Sequence, residues 1–203
     1  MMRTGCDRAA HAPACLLQAL CLFCSLLGML AGAHAESDDP PPGFRVIDVR
    51  SERTDSLYRV DANLHLVLSP AAREALDNGL PLTFLIRLQV LRPRRYLWDE
   101  VIAEVVQRFR LRYHALTRRY LLENLNTDAR YTFATLDQAL ARLGRLRRFP
   151  LIDTHLLDPD ATYLARIRVE LDIEALPTPM RVMAYLSRDW RLDSDWYEWR
   201  LQG

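Results

Sequence analysis

Apolar residues recur at every second position along much of this chain, the period of a strand with one buried and one solvated face. Tyr58, Val60, Ala62, Leu64, Leu66 and Leu68 alternate in this way with Arg59, Asp61, Asn63 and His65. Leu82, Phe84, Ile86, Leu88 and Val90 repeat the pattern, as do Tyr163, Ala165, Ile167, Val169, Leu171 and Ile173. The stretch Val101 to Tyr120 sets Phe109, Leu111, Tyr113 and Ala115 between Arg108, Arg110, Arg112 and His114, which predicts a strand with a row of cations on one face. Within and beside that stretch, Trp98, Ile102, Val105, Phe109, Tyr113, Leu116 and Tyr120 also fall at spacings of three and four, as on an amphipathic helix. The strict interleaving with arginine, between the strand-like segments Leu82–Leu91 and Ala161–Ile173, favours the strand.

Punctuation between these runs predicts the remaining elements. Phe44 to Glu52 reads as a first strand, followed by a turn at Thr54-Asp55-Ser56. Ser69 as cap, Pro70 at the first helical position and Asn78-Gly79 at the exit specify a short helix over about 70–78. Thr135 can cap a second helix over about 135–144, with Leu136, Ala139, Leu140 and Leu143 on the buried side and Gly144 at its end. Arg92 to Arg95 ends one strand before the central stretch begins, which predicts a long antiparallel hairpin with Pro93 at its tip or on an edge. The central strand is expected to run out near Asn124 to Arg130. Phe149–Leu157 and Tyr163–Ile173 are predicted to pair as a hairpin across Asp158-Pro159-Asp160, and Arg181–Leu186 to form a last strand. The sum is a mainly β fold: an antiparallel β-sandwich-like single domain over 44–203 with two short helices.

The first residues change the setting. Arg3 and Arg8, the uncharged apolar run Cys15–Gly32 and the small-x-small Ala33-His34-Ala35 read as a signal peptide over 1–35, cleaved between Ala35 and Glu36. The expected location is therefore the periplasm; the alternative is an uncleaved anchor holding the domain on the periplasmic face of the inner membrane. Either way, membrane contact is expected only through this segment. Large residues before Cys21 and Cys24 disfavour lipid attachment. Residues 36–43 form an acidic, proline-rich linker.

All four cysteines, Cys6, Cys15, Cys21 and Cys24, lie inside the signal, which excludes disulfides, thiolate metal sites and a cysteine nucleophile from the mature chain. A domain of this size can stabilise itself by burying about 70% of its unfolded surface. The 27 basic residues are all arginine, and the formal net charge of +1 falls to 0 once Arg3, Asp7 and Arg8 are removed. A neutral exported domain lacks the basic field on which nucleic-acid binding depends, so no nucleic-acid partner is expected.

Catalytic constellations are absent. No Gly-x-Ser-x-Gly turn presents a nucleophile to His65, His114 or His155, and these histidines lack the short spacing of metal ligands. Neither a metal nor another cofactor is predicted. Asp99-Glu100, or Asp193 with Asp195, could serve as a paired acid and base on cell-wall glycan. Two groups of residues suit binding instead. One is the cationic row Arg108, Arg110 and Arg112 with Arg94 and Arg95 at the hairpin tip, able to meet anionic lipid headgroups or an acidic partner. The other is Trp190, Trp196 and Trp199 near the end of the sequence, able to anchor a protein or stack on sugar.

The Gly79-Leu80-Pro81-Leu82 step, Tyr96 to Asp99, Leu111 to Tyr120, Leu136 to Leu140, Leu176 to Arg181 and the serine-x-aspartate-tryptophan ending together resemble the proteobacterial domain-of-unknown-function family 4390. The resemblance implies a Gram-negative periplasmic protein, with members encoded near nitrogen-regulation-like sensor kinases. It supplies no catalytic residue. The expectation is a non-catalytic periplasmic binding or sensing accessory acting on an envelope protein; the alternatives are a glycan-binding or glycan-cleaving enzyme and a membrane-tethered spacer.

Overall fold

The computed structural model describes residues 41–201. The expected signal, its expected cleavage point at Ala35 and Glu36, and most of the expected linker lie outside them.

Alternating apolar positions become strands wherever a second sheet is present to cover them. β1 (Gly43–Thr54) and β2 (Leu57–Val67) form a hairpin, α1 (Pro70–Asp77) follows, and β3 (Leu82–Arg92) and β4 (Glu100–His114) make the long hairpin. β5 (Arg119–Asn124), β6 (Arg130–Phe133), α2 (Leu136–Leu143), β7 (Arg145–Asp153), β8 (Leu164–Leu171), α3 (Thr178–Leu186) and β9 (Tyr197–Arg200) complete the order. The strands make two antiparallel sheets, β1-β2-β7 and β6-β5-β4-β3-β8-β9.

β3 is one of the two central strands of the larger sheet, bonded to β4 on one side and β8 on the other. Its row Leu82, Phe84, Ile86, Leu88 and Val90 is fully buried, with Ile167 and Val169 of β8 and Leu111 of β4 beside it. Val60, Ala62, Leu64 and Leu66 of the small sheet belong to the same core. Phe44 of β1 reaches Phe84 of β3 with ring centroids 5.8 Å apart. Burying each large side chain of this row contributes about 1.5–3 kcal/mol.

The predicted caps form. Ser69 Oγ accepts from Ala72 N at 3.1 Å and donates to Asp189 O at 2.6 Å, so α1 is fixed to the segment after α3. Thr135 Oγ1 accepts from Gln138 N at the start of α2. Gly144 ends α2 under a tight constraint: its carbonyl accepts from Leu64 N at 2.7 Å, and a Cβ there would lie 2.3 Å from Leu64 O. Gly79, after α1, has φ +88° and open space around it.

Three expectations are corrected. Val101–Tyr120 is strand only as far as His114. Residues 115–118 then turn, Arg118 takes φ +50°, and β5 returns with Tyr113 opposite Tyr120. No glycine, proline, asparagine or aspartate marks that turn, so the sequence carries none of the usual stop signals there. Phe149–Leu157 and Tyr163–Ile173 do not pair: β7 joins β2 in the small sheet, while β8 joins β3 in the large one. Alternation fixes a strand's buried face and leaves its partner open. Arg181–Leu186 belongs to a helix, α3, with Pro177 as cap and Pro179 in the first turn, the positions where a missing N–H costs least. α3 and the short strands β6 and β9 are additions to the predicted elements.

The two glycines separate two kinds of constraint. Gly144→Ala, which drives a methyl into a backbone carbonyl, is expected to lower stability by about 1–3 kcal/mol. Gly79→Ala, which pays only the left-handed conformation, should cost roughly 1–2 kcal/mol and leave packing intact. Urea midpoints measure both; a Gly144→Ala protein as stable as wild type would contradict the close approach.

Candidate partner-binding surfaces

The outward positions of the six-stranded sheet carry most of its arginines, and the sheet sets carboxylates between them. Arg110 of β4 lies 3.7 Å from Glu123 of β5, whose other oxygen accepts from Arg130 of β6 at 2.9 Å; Glu123 itself is buried. Arg87 of β3 donates to Glu170 of β8 at 2.7 Å and to Glu104 of β4 at 3.3 Å. The hydrogen bond to Glu170 is the chief cause holding its guanidinium above the ordinary value, against an opposing desolvation. Arg168 pairs with Asp193 and with Glu170, and Arg166 with Glu198 and Gln89. The face is therefore a ladder of alternating charge.

Along the cationic row, Arg110 is committed to Glu123. Arg108 and Arg112 are exposed, with no carboxylate within 4 Å among the described residues. The Arg108 backbone N–H donates to Asn126 Oδ1 at 2.7 Å, and Asn126 Nδ2 donates to Val106 O at 3.0 Å. Asn126 thus takes the place of a neighbouring strand where β5 stops. Beyond it, no strand pairs with the outer edge of β4 over residues 100–105 among the described residues.

The tryptophans near the end of the sequence are mainly structural. Trp190 is buried; Trp199 is half-buried, its indole N–H donating to Ser51 Oγ of the other sheet at 3.1 Å; Trp196 is half-buried under the Arg166 guanidinium, 4.4 Å from the ring centroid. Asp193 is held by Arg168, and Asp99 and Glu100 by Arg94, through its backbone N–H at 3.3 Å and its guanidinium at 2.5 Å respectively. His65, His114 and His155 are exposed, and among the described residues no cluster of three or more histidine, cysteine or acidic residues could hold a metal ion.

The β3–β4 hairpin tip is where aromatic surface stays open. Tyr96 is 85%, Leu97 68% and Trp98 93% exposed, and Val101 at the start of β4 is half-exposed. Arg94 is tied to Glu100, and Arg92 lies 3.6 Å from Asp158. Arg95 stands 5.5 Å from the Tyr96 ring centroid and has no carboxylate within 4 Å among the described residues. Arg94 and Arg95 are at the tip as the pattern predicts, while Tyr96, Leu97 and Trp98 are not among the predicted binding residues. The available signal was three large apolar residues in a row at a turn, where neither strand nor helix needs them.

At the opposite end, Leu116 and the α3 residues Val182, Met183 and Leu186 are also exposed. No helix of the described residues is long and apolar enough to cross a membrane. Tyr120 lies at this end and donates to Asp77 Oδ1 of α1 at 3.0 Å.

A family described as a domain of unknown function, DUF4390, matches residues 42–200 of the chain. No curated protein and no solved structure matches it.

Burial, and then the hydrogen bond to Asp77, push the Tyr120 phenol above the ordinary tyrosine value. The folded state therefore keeps a proton that the unfolded chain releases near pH 10. The stabilisation is fully present below that pH and is lost as pH rises through the folded value. Tyr120→Phe is expected to flatten the alkaline part of the stability profile measured by urea denaturation; an identical profile would contradict the contact.

Proposed function

The chain belongs to the DUF4390 family, and we propose that it acts as a non-catalytic periplasmic binding or sensing accessory that holds an envelope protein through the β3–β4 hairpin tip. One observation carries the reading: Tyr96, Leu97 and Trp98 are exposed together at the end of a hairpin whose base is well buried. Exposed tryptophan and tyrosine beside arginine have the composition of an interface hot spot, and a rigid base lowers the entropy cost of docking them.

The adjoining edge of β4 adds a mode of recognition. Its unpaired N–H and C=O groups over residues 100–105 can accept an extended segment as a further strand, with main-chain bonds supplying affinity and the tip supplying specificity. The complementary surface is an extended segment with apolar side chains opposite Trp98 and a carboxylate in reach of Arg95.

Replacing Tyr96, Leu97 and Trp98 with serine is expected to leave thermal stability unchanged, because none of the three contributes to the core. Crosslinking in intact envelopes, followed by identification of the attached protein, should recover one species with wild type and lose at least ten times its yield with the triple variant, the consequence of removing about 1.4 kcal/mol or more of binding. Equal yields would sink the proposal.

A further inference from the structure

One run of arginines in and beside the small sheet stands without carboxylate partners among the described residues. Residues 142–148 place Arg142, Arg145, Arg147 and Arg148 in one run, at the exit of α2 and along β7, which is an edge strand. Val60 pairs with Phe149 and Ala62 with Leu146, so the single residue Asp61 on β2 opposes both Arg147 and Arg148. This is a bulge, and its second residue, Arg148, has φ +47°. A side chain held there costs the fold stability that glycine would not, and such positions concentrate at functional sites.

Five arginines lie at or beside the bulge, Arg59, Arg142, Arg145, Arg147 and Arg148. Arg59 reaches over from β2, donating through Nη1 to Arg148 O at 3.4 Å, while its own Nε is buried without a partner. Arg147 donates to Asn63 Oδ1 at 2.9 Å and Leu146 O at 3.1 Å. Arg142 donates to Arg145 O at 3.4 Å and stacks 4.5 Å from the Tyr131 ring centroid. Among the described residues none of the five has a carboxylate within 4 Å, whereas the large sheet supplies one to each of Arg87, Arg110, Arg130, Arg166 and Arg168. Two carboxylates near the bulge are engaged elsewhere: Asp61 accepts from the Arg148 backbone N–H at 2.9 Å, and Asp48 accepts from Asn63 and lies 3.7 Å from Arg50. Glu52, opposite Arg59 in register, is exposed.

We propose that the β7 bulge is a binding site for a phosphate-bearing anion, gripped by Arg145, Arg147 and Arg148 with Arg59 behind them. Guanidinium groups match phosphate oxygens two at a time, and several on one short edge select a ligand with more than one negative charge. The site lies on a different sheet from the hairpin tip and does not depend on it.

The test uses the full chain, with calorimetric titration of inorganic tripolyphosphate and, separately, sedimentation with phosphatidylcholine vesicles with and without phosphatidic acid, scored as the difference between the two. Arg145→Ser and Arg147→Ser are each expected to weaken binding about tenfold. Arg148→Gly should weaken it similarly while raising the urea midpoint, since glycine removes the left-handed strain; this variant keeps the test open if the others fold poorly. Arg108→Ser with Arg112→Ser is the control and should leave binding unchanged. Binding in either arm that follows this pattern supports the site, the tripolyphosphate arm indicating a soluble ligand and the vesicle arm a headgroup. No binding in both arms, or equal loss in the control, overturns it.

Discussion

Face-to-face burial of the β3 row against the small sheet is the interaction on which the rest of this domain depends. Leu82, Phe84, Ile86, Leu88 and Val90 have no access to solvent, and β3 is hydrogen-bonded along both edges. Even its outward residues Thr83, Leu85 and Leu91 are buried. A strand held on both edges, with one face wholly buried, gives the β3–β4 hairpin a rigid base. The tip beyond Arg92 projects from that base and contributes little to the core.

Charge placement follows from the same arrangement. A six-stranded sheet with only one face covered must solvate the other, and in a chain without lysine the solvating cations are guanidinium groups. Rows of unpaired arginine across neighbouring strands would repel; Glu104, Glu123, Glu170, Glu198 and Asp193 interrupt them. Individual exposed pairs contribute about 0–1 kcal/mol, so the ladder is better understood as fixing strand order and blunting association than as a large source of stability. Where the interruption stops, at Arg108 and Arg112 and at the β7 bulge, the guanidinium groups have no carboxylate within 4 Å among the described residues.

How much could be read from the sequence divides along physical lines. The period-two runs in β2, β3 and β8 and the capping residues Ser69 and Thr135 are local signals, and each gave its element within a residue or two. Partner choice is not local: nothing between Phe149 and Ile173 tells that β7 and β8 lie in different sheets, because both need only an apolar surface to cover. α3 is hard to foresee because Leu176-Pro177-Thr178-Pro179 has the composition of a chain break, although proline is equally at home in a first helical turn. Among the candidate binding residues, Arg94 and Arg95 are at the tip as expected and Arg108 and Arg112 are exposed, but Arg110 is held by Glu123 from a strand the pattern did not separate from β4. Trp190 and Trp199 pack on the core, whereas Trp98, between the predicted strands, does not. Exposure of an aromatic residue is set by what packs over it, which one chain's periodicity does not record.

The central claim is that this domain recognises through the hairpin tip. It is tested most directly by placing a photocrosslinking amino acid at position 98 or, in a matched protein, at position 116, which is equally exposed at the opposite end. In irradiated intact cells the account predicts a discrete crosslinked protein from position 98 and none from position 116. No adduct at position 98, or the same adduct from both positions, would contradict it.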